Sequence, residues 1–571
     1  MHTRTLLRAG LAACVLMMAA CAAQSTPAPA DGNVVVTDQS IGPPPPPPPP
    51  PPALAAESRV DRMATGRGIA SPMPYAQYAP QPMPGTIDRD RYEHQADNPI
   101  HQVSADPIST FSIDVDSASY SNVRRYINEG RLPPRDAVRV EELVNYFKYD
   151  YALPQTRTQP FSTTVAVTPS PWAEGRQLVH IGLQGYNLVP RERPPLNLVL
   201  LLDVSGSMSP EDRLPLLIRA FHGMVDQLTA RDKISIVVYA GAAGSILDPT
   251  PGDRHGVINA ALDNLHAGGS TAGGEGLRLA YSLAERNFSA TAVNRVILAT
   301  DGDFNVGVND PQQLQDFISH ERETGIYLSV FGVGHDNYND ALMQRLAQNG
   351  NGVASYIDTL NEARRVLHDE LASNMFTIAN DVKIQVEFNP QRVAEYRLIG
   401  YETRMLQRED FNNDRVDAGE IGAGSAVTAI YEIVPVGGRT FDDPLRYQQH
   451  AAPAAGAAGE LAFLRIRYKL PGQNNSRLIE RPITNADAYA SVDRAPESTR
   501  WATAVAGYGQ LLRGESYLDR TYHWDDVINL AQSARGADPY GWRAEFVQLA
   551  RAAATLGPLP VADNSTPEPR R

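Results

Sequence analysis

From about residue 195 the apolar positions fall into a regular alternation of two periods. Short apolar runs at 197–203, 233–240, 295–301, 327–334 and 353–358 read as strands, and the continuous run Leu198–Leu202 in the first reads as buried on both faces. Between and after them, apolar residues three and four apart predict helices over 212–228, 255–265, 274–287, 311–324, 339–348 and 361–373. Parallel strands joined by right-handed helical crossovers make a doubly wound sheet. The loops that follow its strands then share one edge, where such sheets bind ligands.

Outside this block the period changes. Residues 161–168, 177–183, 382–388, 396–401, 427–435 and 461–469 alternate apolar and polar, as half-buried strands do. Strands of one style on both sides of the α/β block predict a shared sandwich, with the block as an insertion held at two ends. Near the amino end, 111–116 alternates as a strand and 117–128 reads as a helix with Tyr120, Val123 and Ile127 on one face. Pro133-Pro134 breaks it, and 137–147 forms a second helix. Asp114, Asp116 and Ser119 imitate a metal triplet, but Asp116 or Ser117 is better placed to cap the first helix. Helical patterns at 496–512, 524–534 and 541–554 put Trp501, Tyr508, Leu512, Val527, Leu530, Trp542, Phe546 and Leu549 in a core. The fold class is therefore α/β: a doubly wound, mostly parallel sheet inserted in a β-rich, sandwich-like domain, with helical amino- and carboxyl-terminal segments.

Residues 22–97 lack apolar periodicity and contain an unbroken run of ten prolines, 43–52. In polyproline II that run extends about 30 Å at roughly 3.1 Å per residue, so the segment reads as a disordered tether with one stiff stretch. The chain divides into a signal at 1–21, the tether at 22–97, an amino-terminal helical and β segment at 98–160 and flanking strands at 161–190. The α/β domain at 195–375, a β-rich domain at 376–490, a helical region at 491–557 and a frayed tail at 558–571 complete it.

At 571 residues there is room for two or three domains. A net charge of −14 disfavours nucleic acid and anionic membrane surfaces as electrostatic partners. Both cysteines, Cys14 and Cys21, lie in a basic-then-apolar stretch that reads as a secretory signal, too short to span a membrane. Met18-Ala-Ala-Cys21 resembles a bacterial lipobox, with Met where Leu is commoner. That resemblance implies a lipid on Cys21 as the new amino terminus, and Ala22 after it implies export to the outer membrane. The alternative is an ordinary signal cut near Ala20. After Cys21 no apolar run approaches the roughly 20 residues of a span, so the membrane would be reached through the lipid only.

The chemistry gathers at the strand ends. Asp203-Val-Ser205-Gly-Ser207 follows the apolar run Leu198–Leu202, so a carboxylate and two hydroxyls can turn towards one point. Thr271, in the glycine-rich 267–274 loop, and Asp301, which ends a strand, lie on the same edge. Oxygen ligands of this kind suit a hard divalent cation. Asp-x-Ser-x-Ser with a distal Thr and a distal Asp resembles the metal-ion-dependent adhesion site of von Willebrand factor A domains. The resemblance implies that Ser205, Ser207 and Thr271 bind Mg²⁺ directly, with Mn²⁺ or Ca²⁺ as alternatives, and that Asp203 and Asp301 act directly or through water. One coordination position is then left for a carboxylate from a protein partner. Gly206 would let the loop turn closely round the ion, and Asp303 would support its own loop.

Competing readings are poorer. The 268–276 loop lacks the Gly-Lys-Ser/Thr ending of a phosphate cradle. Ser205 or Ser207 as a nucleophile would need a placed base, and His222, His255 and His266 sit on or beside predicted helices without convergence. Asp410, Asn412 and Asp414 fall at the first, third and fifth positions of a calcium loop, but Arg415 stands where Gly is needed and Ile421 where Glu is needed.

Taken whole, the chain is similar to bacterial YfbK-type lipoproteins. The stretches 111–125, 132–134 and 140–147 carry the resemblance at the amino end. Residues 239–243, 268–274 and 299–307 carry it in the A domain, and 418–424 and 543–547 near the carboxyl end. The expected function is a lipid-anchored protein of the bacterial cell envelope, at the outer membrane, that grips an acidic group of a partner through its metal for adhesion or complex assembly. The alternative is a metal-dependent hydrolase or the regulatory subunit of an envelope enzyme. A hydroxyl-rich cage supplies no general base, which disfavours catalysis.

Overall fold

A computed structural model describes residues 89–557, apart from 157, 190, 270–272, 303, 305–310, 336 and 442–458. Six strands form one sheet in the order Ala354–Ile357, Ile326–Val333, Val293–Thr300, Leu196–Asp203, Lys233–Tyr239 and Ala243–Pro251. The first five pair in parallel; the sixth is antiparallel. Leu196–Asp203 is buried at every position, which is why its sequence does not alternate. Its even-numbered residues Leu198, Leu200 and Leu202 pack with Leu217, Phe221 and Met224 of the helix Leu214–Val225. Val199 and Leu201 instead join Leu277, Ala280 and Tyr281 of the helix Gly273–Arg286 on the other face. This is the α/β architecture expected of a von Willebrand factor A domain.

Two differences have local causes. The antiparallel strand Ala243–Pro251 was not expected, because it is an edge strand with no buried position, whose Gly, Asp and Pro residues mask its pattern. The helix expected over 361–373 is broken into Leu360–Arg364, a π-helical turn at Arg365–Asp369, and Leu371–Met375.

Two further sheets are antiparallel. One runs His101–Gln102, Val393–Ile399, Ala426–Pro435, Gln177–Gly185, Phe161–Pro169. In the other, Thr377–Phe388 pairs with Glu460–Lys469 on one side and with Ile108–Ser112 and Gly419–Gly422 on the other, and Ser476–Thr484 extends it. Their inner faces meet through Phe388 on Tyr431 (ring centroids 5.3 Å apart) and Phe161 on Tyr468 (4.9 Å). Gln177–Gly185 pairs with Ala426–Pro435, so segments before and after the α/β block share one sheet.

At the amino end the strand is Ile108–Ser112, and Asp114 and Asp116 lie beyond it. The capping role expected of Asp116 or Ser117 is not taken up, because both side chains are engaged elsewhere. Asp116 accepts from the Ala354 amide (2.8 Å) and Arg404, and the Ser117 hydroxyl accepts from Arg365. Glu142, from the following helix Val140–Asn145, instead takes the Ser119 amide at the start of the helix Ala118–Asn128 (2.8 Å). The helices Glu497–Arg513, Trp524–Ser533 and Trp542–Thr555 pack on these two around buried Trp501, Tyr508 and Phe546, with Leu530 and Trp542 only partly buried.

Candidate metal centre

Asp203 ends its strand fully buried, and its carboxylate accepts from the Ser205 amide (2.9 Å) and the Thr300 hydroxyl (3.2 Å). Those bonds fix the turn that presents the next two serines. The Ser205 and Ser207 hydroxyl oxygens lie 3.0 Å apart. The glycine-rich loop is laced to the same turn: the Gly206 amide donates to the Gly269 carbonyl (3.1 Å) and the Gly268 amide to the Val204 carbonyl (2.7 Å). Asp301, also fully buried, stands at the end of the neighbouring strand. Burial pushes the Asp203 carboxyl above its ordinary range and nearby Asp301 adds to this, against the opposing hydrogen bonds from Ser205.

Four expected ligands, Asp203, Ser205, Ser207 and Asp301, thus lie on loops of one sheet edge. Thr271 and Asp303 lie outside the described residues, as does Cys21. The donor set fits a hard divalent ion. Two adjacent ligands of an octahedral ion held at about 2.0–2.1 Å sit about 3.0 Å apart, the spacing of the two serine hydroxyls, and the buried Asp203 carboxylate beside them, bonded to an amide and a hydroxyl, calls for positive charge. Gly206 does not have a left-handed backbone, and a Cβ there would meet only the Gly269 carbonyl at 3.5 Å, an ordinary contact. The tight position is Gly302, with φ +106° and room for a Cβ denied by the Asn337 carbonyl at 2.7 Å.

Arg213, just before the helix Leu214–Val225, was not singled out from the sequence. Its guanidinium donates to Asp301 Oδ2 (2.6 Å), the Ser207 carbonyl (2.9 Å) and the His335 carbonyl (2.8 Å). No pattern in the sequence marks it, because it reaches the site across two loops.

Elsewhere the protein's own cations meet several of the acidic groups. Lys383 Nζ donates to the carbonyls of Asp410 (3.0 Å) and Asn413 (2.6 Å), and Lys469 Nζ to that of Asp414 (2.9 Å). The Asp414 carboxylate takes Arg467, and the Asp410 carboxylate caps a turn at Gln407. These contacts disfavour the weak calcium candidate at Asp410, Asn412 and Asp414: the Asp410 and Asp414 carboxylates are engaged by an amide and a guanidinium, and lysine ammonium groups hold the loop's backbone carbonyls. Two acidic clusters are handled likewise, one of them holding Asp114 and Asp116 of the triplet noted in the sequence together with Glu142. Arg513 bridges Asp97, Glu402 and Glu515, while Arg404 serves Asp114 and Asp116 and Arg139 serves Glu142. Among the histidines, His222 contacts Asp263 (2.9 Å) and His255 the Leu228 carbonyl (3.2 Å), away from the serine hydroxyls in sequence and partner.

Comparison with known proteins identifies the domains. A family model described as von Willebrand factor type A domain matches residues 197–369, one described as von Willebrand factor matches 86–180, and one described as Uncharacterized protein YfbK, C-terminal, matches 373–556. The chain is 46% identical over 473 residues to the Escherichia coli protein described as Uncharacterized protein YfbK, covering 82% of this chain and 81% of that one. A Synechocystis protein, Uncharacterized protein sll0103, is 30% identical over 296 residues, 51% of this chain and 66% of its own. Human inter-alpha-trypsin inhibitor heavy chain H4 is 27% identical over 195 residues, 32% of this chain and 21% of its own. The chain belongs to the YfbK family and carries a von Willebrand factor type A domain.

Proposed function

We propose that this protein is a lipid-anchored module of the bacterial cell envelope that binds a protein partner through a divalent metal. The observation that carries the reading is the pair of serine hydroxyls 3.0 Å apart beside buried Asp203 and Asp301. Ser205, Ser207 and Thr271 would hold Mg²⁺ directly, and Asp203 and Asp301 directly or through water. Bound there, the ion supplies a Lewis-acidic position that a carboxylate of the partner can fill. The hydroxyl ligands are neutral, so only Asp203 and Asp301 offset the ion's charge, and a carboxylate is a better ligand for its remaining position than a neutral group. The Asp203 carboxylate, already bonded to Ser205 and Thr300, orients the loop rather than serving as a base.

Calorimetric titration of the full-length protein with Mg²⁺ and Mn²⁺ should give one site, and Asp203→Ala should weaken it at least a hundredfold. Equal binding by that variant would sink the assignment, and a hydrolytic activity lost with it would replace binding by catalysis. For the anchor, Cys21→Ser should move the protein from the membrane fraction to the soluble one. Continued anchoring would refute the lipid reading.

A further inference from the structure

We propose that Arg213 is a fixed cation that sets the charge of the metal site, trading metal affinity for selectivity towards an anionic group. This rests on the metal-binding reading above. The arginine is held as part of the site wall. Its three acceptors come from the Ser207 turn, the Asp301 strand end and the His335 loop, and its side chain is 11% exposed. Gly334 makes room for it: with φ +71°, a Cβ there would stand 2.3 Å from the Arg213 Nε. A planar guanidinium with several fixed donors suits such a place; a flexible ammonium does not.

Its charge has two consequences of opposite sign. In the donor set, Asp203 and Asp301 carry two negative charges, which balance a divalent ion. A balanced site would attract an acidic group only through coordination. Arg213, in contact with Asp301, leaves one net positive charge, so the loaded site draws anions through the field as well. The same charge repels the incoming metal ion and engages one oxygen of Asp301. The arginine therefore weakens metal binding while strengthening the grip on a carboxylate.

The test measures both steps separately on the full-length protein. Mn²⁺ affinity is read by electron paramagnetic resonance, and acetate binding to the Mn²⁺-loaded protein by loss of water proton relaxation. Arg213→Gln should tighten Mn²⁺ binding and weaken acetate binding, each by about tenfold, the effect of one partly screened charge. Arg213→Lys, which keeps the charge, should stay within about threefold of wild type in both. If Arg213→Gln weakens both steps, or leaves both unchanged, the charge role is overturned. If Lys behaves like Gln, the arginine is a positioning strut and the proposal again falls. A wild-type protein that binds no Mn²⁺ would instead refute the metal reading itself, a result distinct from the other outcomes.

Discussion

Glu141 is a carboxyl buried near the other carboxyls of Glu402, Asp114 and Glu142. It is 1% exposed, and neither of its carboxylate oxygens meets a donor in hydrogen-bonding geometry. Burial, then Glu402, Asp114 and Glu142, push its pKa from 4.5 up to about 8, against a partial opposing effect of the Tyr401 amide. Between those values the folded protein keeps a proton that the unfolded chain has released, so stability falls as pH rises. The contribution is complete below about pH 4.5 and is lost as pH climbs through 8. Glu141→Gln, which mimics the protonated form, should match wild type near pH 4.5 and exceed it by roughly 2–4 kcal/mol at pH 8. Urea midpoints at several pH values check this, and a pH-independent difference would contradict it. At this scale Asp203, Ser205, Ser207 and Asp301 were legible because each follows directly on an apolar strand. Arg213 and Gly334 were not, since what joins them is an approach across loops that no local pattern encodes. The calcium-like spacing at 410–414, already the poorer reading from the sequence, counts side-chain acceptors and cannot show that Lys383 and Lys469 reach the loop's backbone carbonyls from other strands.

At the scale of elements, burial on both faces made the parallel strands easy to read. The five parallel strands differ from expectation by a residue or two because their apolar runs are continuous. Elements bounded by pairing alone were harder. Ser476–Thr484, largely exposed and rich in charge, takes its strand form from Glu460–Lys469 beside it rather than from its own pattern. Gly419–Gly422 is a four-residue strand whose glycines approach other backbone closely, Gly422 against Ser373 and Gly419 against Ile113. Its sequence therefore reads as a loop, although a side chain at either glycine would push two chain segments apart. The short helix Val140–Asn145 shows a third case. An amphipathic pattern promised a longer element, but Glu141 and Glu142 are both buried, and Glu142 serves the neighbouring helix and Arg139. Tertiary partners, absent from any local window, set its length and its polar positions.

For the whole molecule, the joint between the A domain and its terminal helices rests on buried ion pairs. Arg124, with a 2% exposed side chain on Ala118–Asn128, forks onto Asp358 and reaches Glu362 (2.8 Å), the Tyr146 hydroxyl (3.0 Å) and Glu545 (3.1 Å). Asp358 and Glu362 belong to the A domain, and Glu545 lies on Trp542–Thr555. Arg139 makes the parallel connection to Asp340 through two bonds of 2.6 and 3.1 Å. Burial alone would raise the Glu362 pKa, but Arg365 and Arg124 bring it down to about 2, so the carboxylate is charged in the folded protein. Removing one partner of such a group leaves a buried charge short of its counter-ion, and that costs more than the pair contributes over an apolar replacement. Arg124→Ala should therefore lower stability by about 3–5 kcal/mol, and Arg124→Lys should restore only part, because an ammonium cannot reproduce the fork onto Asp358. The metal site lies on strand-end loops that Arg124 does not touch, so Mn²⁺ affinity under native conditions should stay within about twofold of wild type. A stability loss below about 1 kcal/mol would mean that apolar packing of the helices, not these charges, holds the domains together. A fall in Mn²⁺ affinity without unfolding would mean that the joint and the metal site are coupled through the sheet.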